Sequence, residues 1–188
     1  SSIKIASFCN FNIQELPHEK ACEIIGYGID LLMQLKDIEE VDLKDIKFLF
    51  YGLRKYVESI NYSPFIERIN EVFNSEIMEA LTFFSCKKET CYSCYGLFFE
   101  LIRKGINNAE IIGNINSIVH DNMVNGIDDD ILCSTLMFYR NCVYNRYIKF
   151  DTVFFHNITE MVKDCSFKVR SAAVKLVSDS VFVDDSFI

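Results

Sequence analysis

Residues 46–57 read Ile-Lys-Phe-Leu-Phe-Tyr-Gly-Leu-Arg-Lys-Tyr-Val, with apolar side chains recurring three and four positions apart. An α-helix turns once in about 3.6 residues, so Ile46, Leu49, Phe50, Leu53 and Val57 fall on one side of it. The same stripe returns three times. Phe50, Tyr95, Leu136 and Val174 form one column at spacings of 45, 41 and 38 residues, and no gap is needed inside the helices. The neighbouring columns follow from that choice: Leu49, Cys94, Thr135, Ala173; then Leu53, Phe98, Tyr139, Val177; then Val57, Ile102, Val143, Val181. In the column of Ile46, Cys91 and Leu132 the fourth member is Arg170, the one break in the pattern.

Other helical stretches alternate with these four. Pro17 marks the first turn of a helix over 18–36, and Asp42 is the expected cap of the helix carrying the quoted stretch. Ser63-Pro64 opens a short helix to about Phe73, and Ser75 or Glu76 opens another ending near Ser85. Thr90 starts a helix that stops at Gly105, and Asn107-Asn108 cap one that stops at Gly126. Asp128 to Asp130 lie where a helix N-terminus favours acid, and Asp151 and Ser166 open the last two helices. Alternate apolar residues from Ile3 to Ile13 fit an extended arm or a cut helix equally well. The expected fold is all-α: a solenoid of about four stacked helix-pair repeats, over 18–60, 64–105, 108–147 and 151–182, in one helical-repeat domain spanning 1–188. A helix pair cannot bury its apolar face alone, so neighbours must stack. An ordinary helical bundle would show similar stripes.

Composition agrees. Half of the 188 residues are hydrophobic, which excludes a disordered chain, and 7 Gly with 2 Pro are too few for a turn-rich β-sandwich or barrel. The net charge of −8 disfavours a general nucleic-acid or anionic-membrane surface in the absence of a local basic patch. No apolar run reaches the roughly 18 residues of a membrane span. Eight cysteines in a chain this apolar, with no opening signal sequence, are read as reduced thiols in an intracellular protein of cytoplasm or nucleus. Asn61-Tyr62-Ser63 and Asn157-Ile158-Thr159 match the glycosylation pattern, which arises often by chance. The chain opens Ser-Ser-Ile-Lys without Met and closes on Phe182, Val183, Phe187 and Ile188, so a piece of a longer protein is expected, with self-association through the apolar end.

Residues 151–181 carry a more specific pattern: Val153, Ile158, Met161 and Val162, then Asp164, then Val169-Arg170, then Ala172-Ala173, Leu176 and Val177. This resembles a HEAT repeat, in which a turn Asp and an Arg opening the second helix bond within and between repeats; Asp164 and Arg170 match them. Ile131 to Asn145, with Asn141 near its end, resembles the last helix of an armadillo repeat. The earlier repeats depart from the pattern at the Arg column. The resemblance implies a protein-interaction scaffold or adaptor, not an enzyme, whose partners belong to transport, chromosome organisation or signalling.

Few residues suggest chemistry. Cys86-x4-Cys91-x2-Cys94 has zinc-like spacing but lacks a local fourth ligand, and Cys91 and Cys94 fall on the buried stripe, so core thiols are expected and no metal. His120-Asp121 is similar to the metal-binding doublet of HD-type phosphohydrolases, the alternative function, but both side chains lie off the apolar face of their helix. No P-loop, dinucleotide fingerprint or nucleophile elbow occurs, and no cofactor is expected. In stacked helix pairs the second helices line a partner-binding surface for an extended peptide or a helix. The columns opposite the stripe place Arg54, Lys55, Phe99, Glu100, Arg103, Met137, Arg140, Asn141 and Tyr144 there. They also bring Tyr51, Gly96 and Lys175 together, and end on Ser178, Asp179 and Phe182.

Overall fold

The computed structural model describes residues 17–38, 41–59, 67, 75–105, 109–126, 128–151, 153–164 and 166–183. The expected helix over 64–73, the arm at Ile3 to Ile13, the Asn107-Asn108 cap and the tail residues Phe187 and Ile188 lie outside the described residues, as does the side chain of Asp164. The described residues are helical, with no strand among them: α1 (His18–Lys36), α2 (Leu43–Ser59), α3 (Ser75–Ser85), α4 (Cys91–Arg103), α5 (Ala109–Asn125), α6 (Asp129–Tyr144), α7 (Val153–Asp164) and α8 (Phe167–Val183). The chain divides into two compact units, Ser1–Ile106 and Asn107–Ile188.

The helix ends follow local chemistry. Asp42 Oδ1 accepts from Lys44 N at 2.9 Å, Asp128 Oδ1 from Asp130 N at 2.7 Å and Asp151 Oδ1 from Val153 N at 2.9 Å, each satisfying an otherwise orphaned amide. Pro17 stands one residue before α1 rather than within it, and its carbonyl accepts from Ala21 N. Thr90 makes no cap with its side chain: the buried hydroxyl donates to the Phe84 carbonyl at 2.7 Å and ties α3 to the start of α4.

In the first unit α2 packs along α4, α1 packs on both α2 and α3, and α3 packs on α4. Two helix pairs thus lie side by side, first helix against first and second against second. Phe50 of α2 sits at the centre, its ring edge-on to Phe84 of α3 at 5.6 Å. The second unit has the same arrangement, with α6 along α8, α5 against α6 and α7, and α7 against α8. There Tyr139 is the centre. Its ring meets Phe154 edge-on at 5.0 Å, and its buried hydroxyl oxygen accepts from Asp151 N at 2.8 Å, so the phenol is not left unpaired.

The stripe of the first three second helices is buried as read: Ile46, Leu49, Phe50, Leu53 and Val57, then Cys91, Cys94, Tyr95, Phe98 and Ile102, then Leu132, Thr135, Leu136, Tyr139 and Val143. The fourth column is one residue out. Val174 is 51% exposed and Val181 is also open, whereas Ala173 is 0% exposed. Matching Ala173 to Leu136 brings Val169, Ala172, Leu176 and Ser180 onto the stripe, all buried. The Arg170 break then disappears, because Val169 takes its place. The physical reason is that α8 buries small residues, Ala172, Ala173 and Ser180, which burial preference ranks below Val.

The end of α6 holds a non-glycine residue in the left-handed region. Arg146 has φ 59, its N–H donates to the Val143 carbonyl at 2.9 Å, and Tyr147 N donates to the Cys142 carbonyl at 2.9 Å. This is a Schellman closure, where glycine is the unstrained residue. Arg146→Gly is expected to raise stability by about 0.5–1 kcal/mol, read as a higher urea midpoint at unchanged slope. No rise would mean that the Arg146 side chain contributes as much as its backbone costs.

Candidate functional site

The nine residues expected to face a partner divide by unit and by role. In the first unit Arg103 is exposed and Arg54, Lys55 and Phe99 are half-buried. Glu100 corrects the expectation: it is 4% exposed, a buried acid between α2 and α4. Arg103 Nε donates to its Oε2 at 2.7 Å, and Arg54 Nη2 lies 3.7 Å from its Oε1. Arg54 reaches Glu100 by lying over Gly96, where an added Cβ would sit 3.2 Å from Nη1 and 3.4 Å from Cδ. Arg54 and Glu100 therefore join neighbouring second helices. Lys55 donates to Glu58 at 3.0 Å and stands over the Tyr51 ring at 5.9 Å. That hydrogen bond and charge raise the Lys55 pKa and lower that of Glu58.

In the second unit Met137, Asn141 and Tyr144 are exposed along α6, and Arg140 is half-buried. Arg140 Nε donates to Asp179 Oδ2 of α8 at 2.5 Å, so the same device, an Arg of one second helix reaching an acid of the next, recurs in both units. Lys168 of α8 also pairs with Asp130 of α6. The reading thus placed among binding residues two cations, Arg54 and Arg140, that are held in ion pairs between neighbouring second helices. It also missed Val174 and Val181, which the one-residue correction moves into the columns of Met137 and Tyr144. The Arg170 break was the signal that the register had slipped. Phe182, placed in the Tyr144 column by the uncorrected register, is exposed.

The cysteine motif resolves into core and surface. Cys91 and Cys94 are buried and donate to the carbonyls of Lys88 and Leu81, at 3.4 Å each; Cys86 is exposed. His120 and Asp121 stand 3.8 Å apart, Nδ1 to Oδ1, with Asp121 in solvent and the His120 ring against Phe154 at 5.9 Å. Among the described residues no three His, Cys, Asp or Glu side chains come together as a metal site requires. Arg170 is half-buried; the partner expected for it, Asp164, has its side chain outside the described residues. No described helix is long and apolar enough to cross a membrane.

Burial pushes the pKa of Cys94, Cys142 and Tyr139 upward. In the unfolded chain thiols and phenols ionise near their ordinary values of 9.0 and 10.0, while the folded chain keeps these protons. The folded state then binds more protons than the unfolded one, so stability present below pH 9 falls as pH rises beyond it. Melting temperature should decline from there, and Cys142→Ala should lessen the decline. An alkaline limb identical in the variant would remove Cys142 from the account.

No family model matches this chain, and neither a curated protein nor a solved structure is significantly similar to it.

Proposed function

We propose that this chain is a helical-repeat interaction module of armadillo/HEAT character, a scaffold or adaptor whose second helices present binding faces to a partner protein's peptide or helix. The supporting observation lies on α6 and α8. Met137 and Tyr144, then Val174 and Val181, occupy matching outward positions on these adjoining helices, and all four are exposed. Each pair is two turns apart, about 10 Å, the spacing at which a partner helix places successive anchors. Tyr51 holds the corresponding position on α2 and is likewise exposed. Apolar and aromatic side chains set in a regular array on a polar surface mark an interaction face more strongly than the same residues scattered. An intracellular setting and non-catalytic action belong to the same proposal.

The test is comparative capture from the source cell with wild type, Met137→Asp/Tyr144→Asp and Val153→Asp, the last altering an exposed apolar residue of a first helix. A partner held by wild type and Val153→Asp should be lost from the double variant, with affinity down by more than about tenfold. Partners retained equally by all three would sink the proposal.

A further inference from the structure

The solvent face of α2 has a composition unlike that of the chain around it. Opposite its buried stripe, one line along the helix reads Lys44, Phe48, Tyr51, Lys55, at steps of four, three and four residues. Two aromatic rings are thus bracketed by lysines, across about 16 Å of helix. Phe48 and Tyr51 are more than half exposed. Lys44 and Lys47 are exposed and form no ion pair among the described residues, whereas Lys55 is already engaged by Glu58. The line itself holds no acid, the acids of its first turn being Asp42 at the cap and Asp45 on the flank, so on a chain of net charge −8 it is a short cationic strip.

We infer that the α2 face docks an acidic segment of a partner protein, with one or two apolar or aromatic side chains flanked by Asp or Glu. The inference rests on the interaction-module reading and names the chemistry of one of its faces. Phe48 and Tyr51 supply the apolar contact, and Lys44 with Lys47 supplies the charge that selects an acidic flank. A short segment is favoured over an extended polyanion. Electrostatic reach at physiological salt is about 8 Å, so a short peptide laid along this line is governed by Lys44 and Lys47, with Asp42 and Asp45 only at the start of the helix. A nucleic acid or an anionic bilayer extends past the strip and meets the rest of a chain whose net charge is −8.

The experiment selects twelve-residue random peptides displayed on phage against the full chain and measures the winners by fluorescence anisotropy. Enriched peptides should carry acidic residues flanking an apolar centre, and their binding should weaken as salt rises. Lys44→Glu/Lys47→Glu should lower their affinity by about tenfold or more, and Tyr51→Ser by a comparable factor through the apolar contact. Far-UV circular dichroism of both variants verifies the fold, and Val153→Asp, at an exposed position outside any proposed face, should leave the affinity unchanged. Neutral or basic winners, or acidic winners indifferent to Lys44→Glu/Lys47→Glu, overturn the inference. So does an enrichment that yields no binder, or preferential binding of phosphatidylserine vesicles or a single-stranded oligonucleotide. If capture through Met137 and Tyr144 succeeds while the α2 selection fails, the module reading stands and only this inference falls.

Discussion

Phe50→Ala is expected to remove about 3–5 kcal/mol from the stability of the first unit. Phe50 is fully buried, with its ring against the edge of Phe84, and it comes from the helix that packs along α4 and against α1. Truncation to Ala deletes the ring and leaves a cavity that three helices cannot close without losing other contacts. A loss of that size is a large share of what a small domain possesses. Urea unfolding followed by circular dichroism measures it, and Phe48→Ala on the exposed side of α2 serves as the control, expected within about 0.5 kcal/mol of wild type. A Phe50→Ala loss under about 1 kcal/mol would mean that α2 does not pack with this face inward.

The register of α8 predicts the second large effect. Ala173→Asp would place a carboxylate at a position with no exposure, where burying an unpaired charge costs several kcal/mol. The second unit should then lose its cooperative unfolding transition. Val174→Asp, one residue along, places the same carboxylate in solvent and should change stability by less than about 1 kcal/mol. Similar losses at both positions, or the greater loss at Val174, would restore the uncorrected register and move Leu176 off the stripe.

The helices themselves were legible in the sequence because caps and stripes are local. Asp42, Asp128 and Asp151 each state a helix start in a single side chain, and Leu49, Leu53 and Val57 state a face. The slip in α8 came from weighing Val174, Val177 and Val181 as core because they are large, where the buried positions beside Val169 and Leu176 hold the small residues Ala172, Ala173 and Ser180. Side-chain size speaks of how much can be buried, not of how closely two backbones approach. The outward columns were legible less fully. Met137, Asn141 and Tyr144 are outward as read, since outwardness is the complement of a stripe. The inward turn of Glu100 depends on cations from two different positions, Arg54 on the neighbouring helix and Arg103 one turn on, and no periodicity encodes that.

Gly96 gives the first unit a means of altering its exterior without exchanging a charged residue. The Arg54 stem lies in the space that a side chain on Gly96 would occupy, its guanidinium is turned toward Glu100, and its Nε is buried with no hydrogen-bond partner. A methyl group there would displace the flexible end of Arg54 by a few tenths of an ångström, away from α4. A larger side chain would swing it fully outward, beside Lys55 and Tyr51. The electric potential of that face would rise while the formal charge of the chain stayed the same, and Glu100 would be left with Arg103 alone. Position 96 is thus a setting for how positive the surface looks from outside, adjusted by bulk rather than by charge.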